Sequence, residues 1–243
     1  MKIKIHDSTY IFLLISFLSG YFEYVYLLLI IIFIHEMGHF LFGLFCGINV
    51  SCVIIYPFGG ITYFDCDLNI KIYKEFICLI GGLLFQICSL LIFRHLFLCG
   101  FISLHVFGLI KEINYLLFSF NFLPIIPLDG GKLLNIILDK IFCYRLSFKI
   151  SVVISFLFSF VFLISMNTFV SFILFLFLIK SILFEYRNFN YKFNKFLLER
   201  YINNYGFKKY KIIHNINFIK RDFYHIIGNK FEKRFLCELF ENI

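Results

Sequence analysis

Long apolar runs separated by short polar or glycine-containing breaks dominate residues 11–183. Runs of this length argue for helices that cross a bilayer, which need about 20 mostly apolar residues. Six spans are expected. The first covers residues 8–20, extending to 22, and is short for the task; the second covers 24–45, the third 75–98 and the fourth 112–128. The last two, 148–164 and 168–184, are separated by little more than Ser165-Met166-Asn167. After the second span the texture changes. Residues 49–56 and 61–67 are β-branched and aromatic, with Pro57-Phe58-Gly59-Gly60 between them, the pattern of a β-hairpin. Residues 99–111, broken by Gly100, His105 and Gly108, read as an interfacial connection, and 132–142 as a short interfacial helix. The expected fold class is therefore an all-α polytopic membrane protein of about six transmembrane helices with a small membrane-associated β-hairpin.

Composition excludes a soluble globule: 61% of residues are hydrophobic and 16% charged, against about a quarter charged in ordinary soluble domains. Phe alone supplies 38 residues of the 243. The net charge of +8 is uneven, with 13 Lys/Arg against six Asp/Glu from Lys180 onward. A basic stretch directly after a hydrophobic span fits a cytoplasmic tail under the positive-inside rule better than a nucleic-acid surface, and attraction to the anionic lipid bilayer comes with it. Lys2, Lys4, Lys71, Lys74, Lys132, Lys140, Arg145 and Lys149 fall on the same side, with Arg94 and Lys111 as exceptions. Both termini are expected in the cytoplasm, with residues 1–186 a transmembrane domain and 187–243 a basic tail. The eight Cys show no C-x-x-C spacing and read as free thiols. With no Ala there is no A-x-A cleavage site, so the first run is expected to be a retained anchor.

His35-Glu36-Met37-Gly38-His39 matches H-E-x-x-H. On a helix, positions four apart share a face, so both imidazoles can approach one metal ion while the neighbouring glutamate serves a metal-bound water. Three ionisable residues inside an apolar span cost about 2.5–3.5 kcal/mol each on insertion scales, unless a metal, a partner or a wet cavity offsets them. A structural polar cluster is the plain alternative. A catalytic zinc commonly has three protein ligands and one open position. The best third ligand is Asp129, at the end of Asn121-Phe122-Leu123-Pro124-Ile125-Ile126-Pro127-Leu128-Asp129-Gly130-Gly131. Two prolines break helical bonding there, and freed backbone at membrane depth belongs next to protein or a cavity. The alternative for Asp129 is an interfacial turn and helix cap. Asn114 and Asn121, two turns apart, either bond neighbouring helices or, for Asn121, hold a substrate backbone. His6, His95, His105, His214 and His225 read as surface or interface histidines.

These motifs together resemble the site-2 protease family of intramembrane metalloproteases (the M50 group), and within it the sporulation branch. The resemblance rests on His35–His39, on Tyr56-Pro57-Phe58-Gly59-Gly60, on Gly81-Gly82 with Gln86, on Asn114, Asn121, Pro124, Pro127 and Asp129–Lys132, and on the stretch Phe196-Leu197-Leu198-Glu199-Arg200-Tyr201. It implies a zinc metalloendopeptidase with His35, His39 and Asp129 holding Zn²⁺ and Glu36 as general base. Asn121, Pro57, Phe58, Gly59 and Gly60 would contact substrate, the hairpin offering an edge for strand addition. The implied substrate is a membrane-associated pro-protein, in the sporulation branch a sigma-factor precursor, with inhibitory membrane partners. Members of that branch carry a nucleotide-sensing CBS domain after the last span. Residues 187–243 are too short for one, leaving 214–227 as a candidate CBS-domain remnant. The rival from another class is a catalytically silent scaffold or a metal carrier. A carrier should place ionisable groups along several spans, and a dead scaffold should lack Glu36 or a ligand; neither holds here.

Overall fold

The apolar runs become helices, distributed over two units: Met1–Cys66 with Lys74–Asn121, and Asp67–Tyr73 with Phe122–Ile243. The computed structural model describes residues 2–56, 59–65, 67–166 and 169–241.

The first unit holds β1 (Lys2–Ile5), α1 (Asp7–Leu18), α2 (Phe22–Phe45), β2 (Asn49–Tyr56), β3 (Gly59–Asp65), nearly all of α3 (Ile72–Leu98) and α4 (Leu104–Phe122). Helix α2 ends at Cys46 because Gly47 turns left-handed, at φ 70°, and Ile48 N–H reaches back to the Gly43 carbonyl at 2.9 Å. The chain then forms the expected hairpin: β2 pairs antiparallel with β3, with a bulge between Val50 and Cys52. A third strand was not expected. β1 pairs parallel with β2, Lys2 opposite Cys52, so the order is β1-β2-β3. The Lys-Ile-Lys-Ile alternation already had the period of a strand, although its lysines looked like the charged flank of a span. Ile31 and Ile32 of α2 pack with Ile110, Ile113 and Leu117 of α4 to form a buried core.

The second unit holds α5 (Asp129–Ile141), α6 (Tyr144–Met166), α7 (Phe169–Ile202), β4 (Tyr210–Ile213), a 3-10 turn (Ile216–Phe218), β5 (Tyr224–Ile227), β6 (Lys230–Phe231) and α8 (Glu232–Glu241). Stacked rings join α6 to α7: Tyr144 lies 4.5 Å from Phe196, and Phe148 lies 4.2 Å from Phe189.

Several expectations about spans need correction. Among the described residues, three helices are long and apolar enough to cross a membrane by length and composition: Phe22–Phe45, Ile72–Leu98 and Tyr144–Ile164. Six are not established. The first expected span is the 12-residue α1, about 18 Å long against a hydrocarbon core of about 30 Å. Residues 104–111, expected as a connection, are the first two turns of α4, and that helix stops at Phe122, ahead of Pro124. Helix α7 does not end near residue 184; it runs on to Ile202 because the polar stretch contains no Gly or Pro and its Phe189, Phe193 and Phe196 keep one packed face. The fold is mostly helical, but a second sheet, β4-β5-β6, adds to the hairpin and qualifies the all-α expectation.

That second sheet is anchored by a buried cation. Arg200, 5% exposed near the end of α7, donates to Glu232 Oε1 at 2.6 Å, Asn69 Oδ1 at 2.7 Å and the Phe223 and Lys220 carbonyls at 3.0 Å. His225, expected at a surface or an interface, is 1% exposed. Its Nε2 accepts from Lys220 N–H at 3.1 Å, which places its proton on Nδ1, 3.1 Å from Glu232 Oε2. Burial alone would raise the Glu232 carboxyl, but the His225 hydrogen bond and the Arg200 charge outweigh it and hold the group below the usual carboxylate range. The carboxylate's contribution is therefore full above the ordinary carboxylate pKa and lost as pH falls through the depressed one. Arg200→Ala leaves that carboxylate buried without its cation, a change that typically costs about 3–5 kcal/mol. Amide exchange across residues 210–241 is expected to accelerate strongly in this variant, while exchange in α2 and α3 stays as in the parent.

Candidate metal centre

Helix α2 carries the site because its period puts His35 and His39 on one face, one turn apart. Both are buried, as is Glu36, at 2%, 5% and 5% exposure respectively. The ligand atoms of the three residues lie within 4.8 Å of one another. The two imidazole Nε2 atoms are 3.1 Å apart.

Neighbouring elements orient each ring. His39 Nδ1 lies 3.0 Å from the Cys78 carbonyl of α3. A carbonyl can only accept, so Nδ1 carries the proton and Nε2 presents its lone pair to the site. Cys78 Sγ returns a contact to the His39 carbonyl at 3.4 Å. Helices α2 and α3 come this close because both are bare at the crossing: a Cβ on Gly38 would lie 2.8 Å from the Gly81 carbonyl carbon, and one on Gly81 would lie 2.6 Å from Phe42 Cβ. The next residue, Gly82, leaves open the space beside the imidazoles. A Cβ there would sit 2.5 Å from His39 Nε2 and 3.0 Å from His35 Cε1.

The hairpin supplies the other wall. Thr62 Oγ1 of β3 donates to Glu36 Oε2 at 2.7 Å. Gly60, two residues earlier and thus on the same face of the strand, lies so close that a Cβ would overlap the Glu36 side chain. Gly59 is open, with nothing within 4 Å of its added Cβ. Pro57 and Phe58 lie outside the described residues. Asn121 of α4 places its amide 3.3 Å from His35 Nε2, whereas Asn114 donates to its own helix at the Ile110 carbonyl, 3.0 Å away, and its carbonyl accepts from Gln86 at 3.0 Å. Asp129 belongs to the second unit, where it opens α5, 7% exposed, with Lys132 Nζ 3.1 Å away.

Thr62 and the Cys78 carbonyl were not among the expected site residues. Thr62 carried a weak signal, since it shares a strand face with Gly60. The Cys78 carbonyl carried none, because a backbone oxygen is selected only by how two helices cross.

No family model matches the chain. It is 33% identical over 207 residues to stage IV sporulation protein FB of Bacillus subtilis, covering 83% of this chain and 72% of that protein. It is 30% identical over 130 residues to a zinc metalloprotease of Methanocaldococcus jannaschii, covering 51% of this chain and 37% of that one. Its fold is similar to the solved site-2 protease from Methanocaldococcus jannaschii, with a TM-score of 0.58 and 24% identity, over 75% of this chain and 90% of that one. Similarity in sequence to these proteins, with the His35–Glu36–His39 cluster on an apolar helix, makes the chain a membrane metalloprotease. The chain belongs to the site-2 protease (M50) family.

Zinc, which that family implies, fits the residues present. Two nitrogens bound tetrahedrally at about 2.0–2.1 Å would lie about 3.3 Å apart, close to the 3.1 Å between these Nε2 atoms. Imidazole nitrogen suits that ion, and a carboxylate oxygen is an accepted third donor to it. The space beside Gly82 would be filled by any larger residue.

Proposed function

We propose that this chain is an intramembrane zinc metalloendopeptidase that cleaves a membrane-associated pro-protein, a sporulation sigma-factor precursor being the favoured substrate. The observation that carries the reading is the buried His35–Glu36–His39 cluster on an apolar helix, with Thr62 and Gly60 closing on the glutamate. Similarity to the sporulation protein supports the substrate class. In this reading residues 1–186 form a six-span catalytic domain, 187–243 a basic tail with a CBS remnant at 214–227, and both termini face the cytoplasm. Membrane partners that hold the enzyme inactive belong to the same reading.

His35 and His39 would hold zinc through Nε2, and Asp129 would complete the set with a carboxylate oxygen. Bound there, zinc supplies a Lewis acid that acidifies water and polarises the scissile carbonyl. Glu36 does the proton work. Thr62 occupies Oε2, leaving Oε1 to take the proton of the attacking water and return it to the leaving amine as the C–N bond breaks. Asn121, beside His35, donates to the substrate carbonyl or backbone. A substrate helix must unwind to expose its carbonyl, and β3, an outer strand of its sheet, offers an edge for the extended segment, with Gly59 and Gly60 at its start and Pro57 and Phe58, which precede them in the sequence, as further substrate contacts.

Co-expression with a membrane-tethered pro-sigma factor tests this reading. A shortened product is expected, lost on chelation of zinc and restored by adding it back; an unprocessed precursor with zinc bound would favour the silent-scaffold alternative. A narrower test concerns the hairpin. Gly60→Ala must push Glu36 aside, and misplacement of about 1 Å typically lowers rates about 10²-fold. Cleavage is expected to fall by that order while bound zinc per chain is unchanged.

A further inference from the structure

Helix α6 carries Ser147, Ser151, Ser155 and Ser159 at four-residue intervals, all with 0% exposure. That spacing lines them along one face. A serine inside an apolar helix can satisfy its hydroxyl on its own preceding turn, and Ser159 does so at the Phe156 carbonyl, 2.8 Å away. The other three also reach outward. Ser147 donates to Asp139, near the end of α5. Ser151 Oγ lies 3.0 Å from Asn135 Oδ1, one turn nearer the start of α5.

Ser155 makes the contact nearest Asp129. Its single proton goes to the Ser151 carbonyl at 2.7 Å, and its oxygen accepts Ile126 N–H at 2.9 Å. Ile126 lies between Pro124 and Pro127, which have no N–H to offer, and Ile125 and Leu128 spend theirs inside the loop, on Leu123 and Ile125 carbonyls at 2.7 and 2.8 Å. Ile126 N–H is thus the remaining donor of residues 124–128, and in buried apolar surroundings it needs a partner. The same loop lies tightly on the first turn of α5: a Cβ on Gly131 would lie 2.5 Å from Ile126 N, and one on Gly130 would overlap the Phe122 and Leu123 carbonyls. Asp129 is the residue immediately before those two glycines.

We propose that Ser155 is a positioning residue for Asp129: through Ile126 N–H it fixes the Pro-broken loop against α6, and the loop, packed on Gly130 and Gly131, fixes the direction of the Asp129 carboxylate. The proposal rests on the reading of Asp129 as a zinc ligand. Ser151 and Ser147 hold the remainder of α5 in the same register.

A double-mutant cycle on zinc affinity tests it, with the purified full chain titrated with zinc against a competing chelator. Ser155→Ala is expected to weaken zinc binding about 10-fold or more, the scale seen when a group supporting a ligand is removed. Ser155→Thr, which keeps the hydroxyl, is expected to restore most of it. In an Asp129→Asn background, Ser155→Ala should add little, because the group it positions no longer binds. Equal weakening in both backgrounds would mean a general loss of fold and would overturn the proposal, as would unchanged affinity in Ser155→Ala. If Asp129→Asn alone leaves affinity unchanged, the ligand reading itself fails. Should Ser155→Ala not fold, Ser155→Cys keeps the volume with a weaker acceptor, and the same background dependence decides the matter.

Discussion

Glu36→Gln is expected to lower cleavage about 10²–10⁴-fold, the usual contribution of a positioned general base, with zinc still bound. The amide keeps the shape of the carboxylate and can remain in contact with Thr62 Oγ1, now 2.7 Å from Oε2. It also still fits beside Gly60, where the side chain leaves no room for a Cβ. What it loses is the ability to take a proton. The measurement is product formation from a co-expressed precursor, together with metal content of the purified variant. Loss of both would mean that Glu36 holds the metal instead of serving water; loss of neither would mean that proton transfer runs through another group.

His39→Ala is expected to remove bound zinc, weakening affinity by at least about 10²-fold, and to abolish cleavage with it. Two losses combine. The site gives up one of two Nε2 donors that face each other at 3.1 Å, and the Cys78 carbonyl gives up the Nδ1–H that fixed the ring. Cys78→Ala is the matching control, because the carbonyl survives that change while the thiol contact to the His39 carbonyl does not. Metal analysis after dialysis should show the chelate broken in His39→Ala and intact in Cys78→Ala. Zinc retained at one equivalent in His39→Ala would remove that residue from the ligand set.

The parts of this site legible in the sequence are those determined locally. His35 and His39 share a face because a helix has a fixed period, and the apolar run around them guarantees that helix. The hairpin was legible for the same reason: β-branched and aromatic runs on either side of Pro57-Phe58-Gly59-Gly60 are local signals, although Gly59 and Gly60 themselves pair within β3. What failed to show depends on distant partners. β1 is four residues long and became a strand by finding β2, nearly fifty residues on. The reach of α7 to Ile202 reflects aromatic packing against Tyr144 and Phe148, whereas hydropathy falls away after residue 184. His225 read only as a surface or interface histidine of the tail, and its contacts with Arg200 and Glu232 come from residues 25 and seven positions away. Charged residues at 1% and 7% side-chain exposure are invisible to a count of net charge. Six apolar runs were read as crossings; among the described residues three helices have the length and apolarity to cross by composition, and the 12-residue α1 is shorter than that measure requires.

The most direct test of the central claim is a zinc titration of metal-stripped, purified protein, with cleavage of a membrane-tethered precursor read at each point. Cleavage is expected to rise in proportion to added zinc and to level off at one equivalent per chain, and Glu36→Gln should bind the same equivalent while producing nothing. Cleavage that proceeds without zinc, or one bound equivalent that yields no cleavage of any membrane-tethered precursor in the parent protein, would contradict the account.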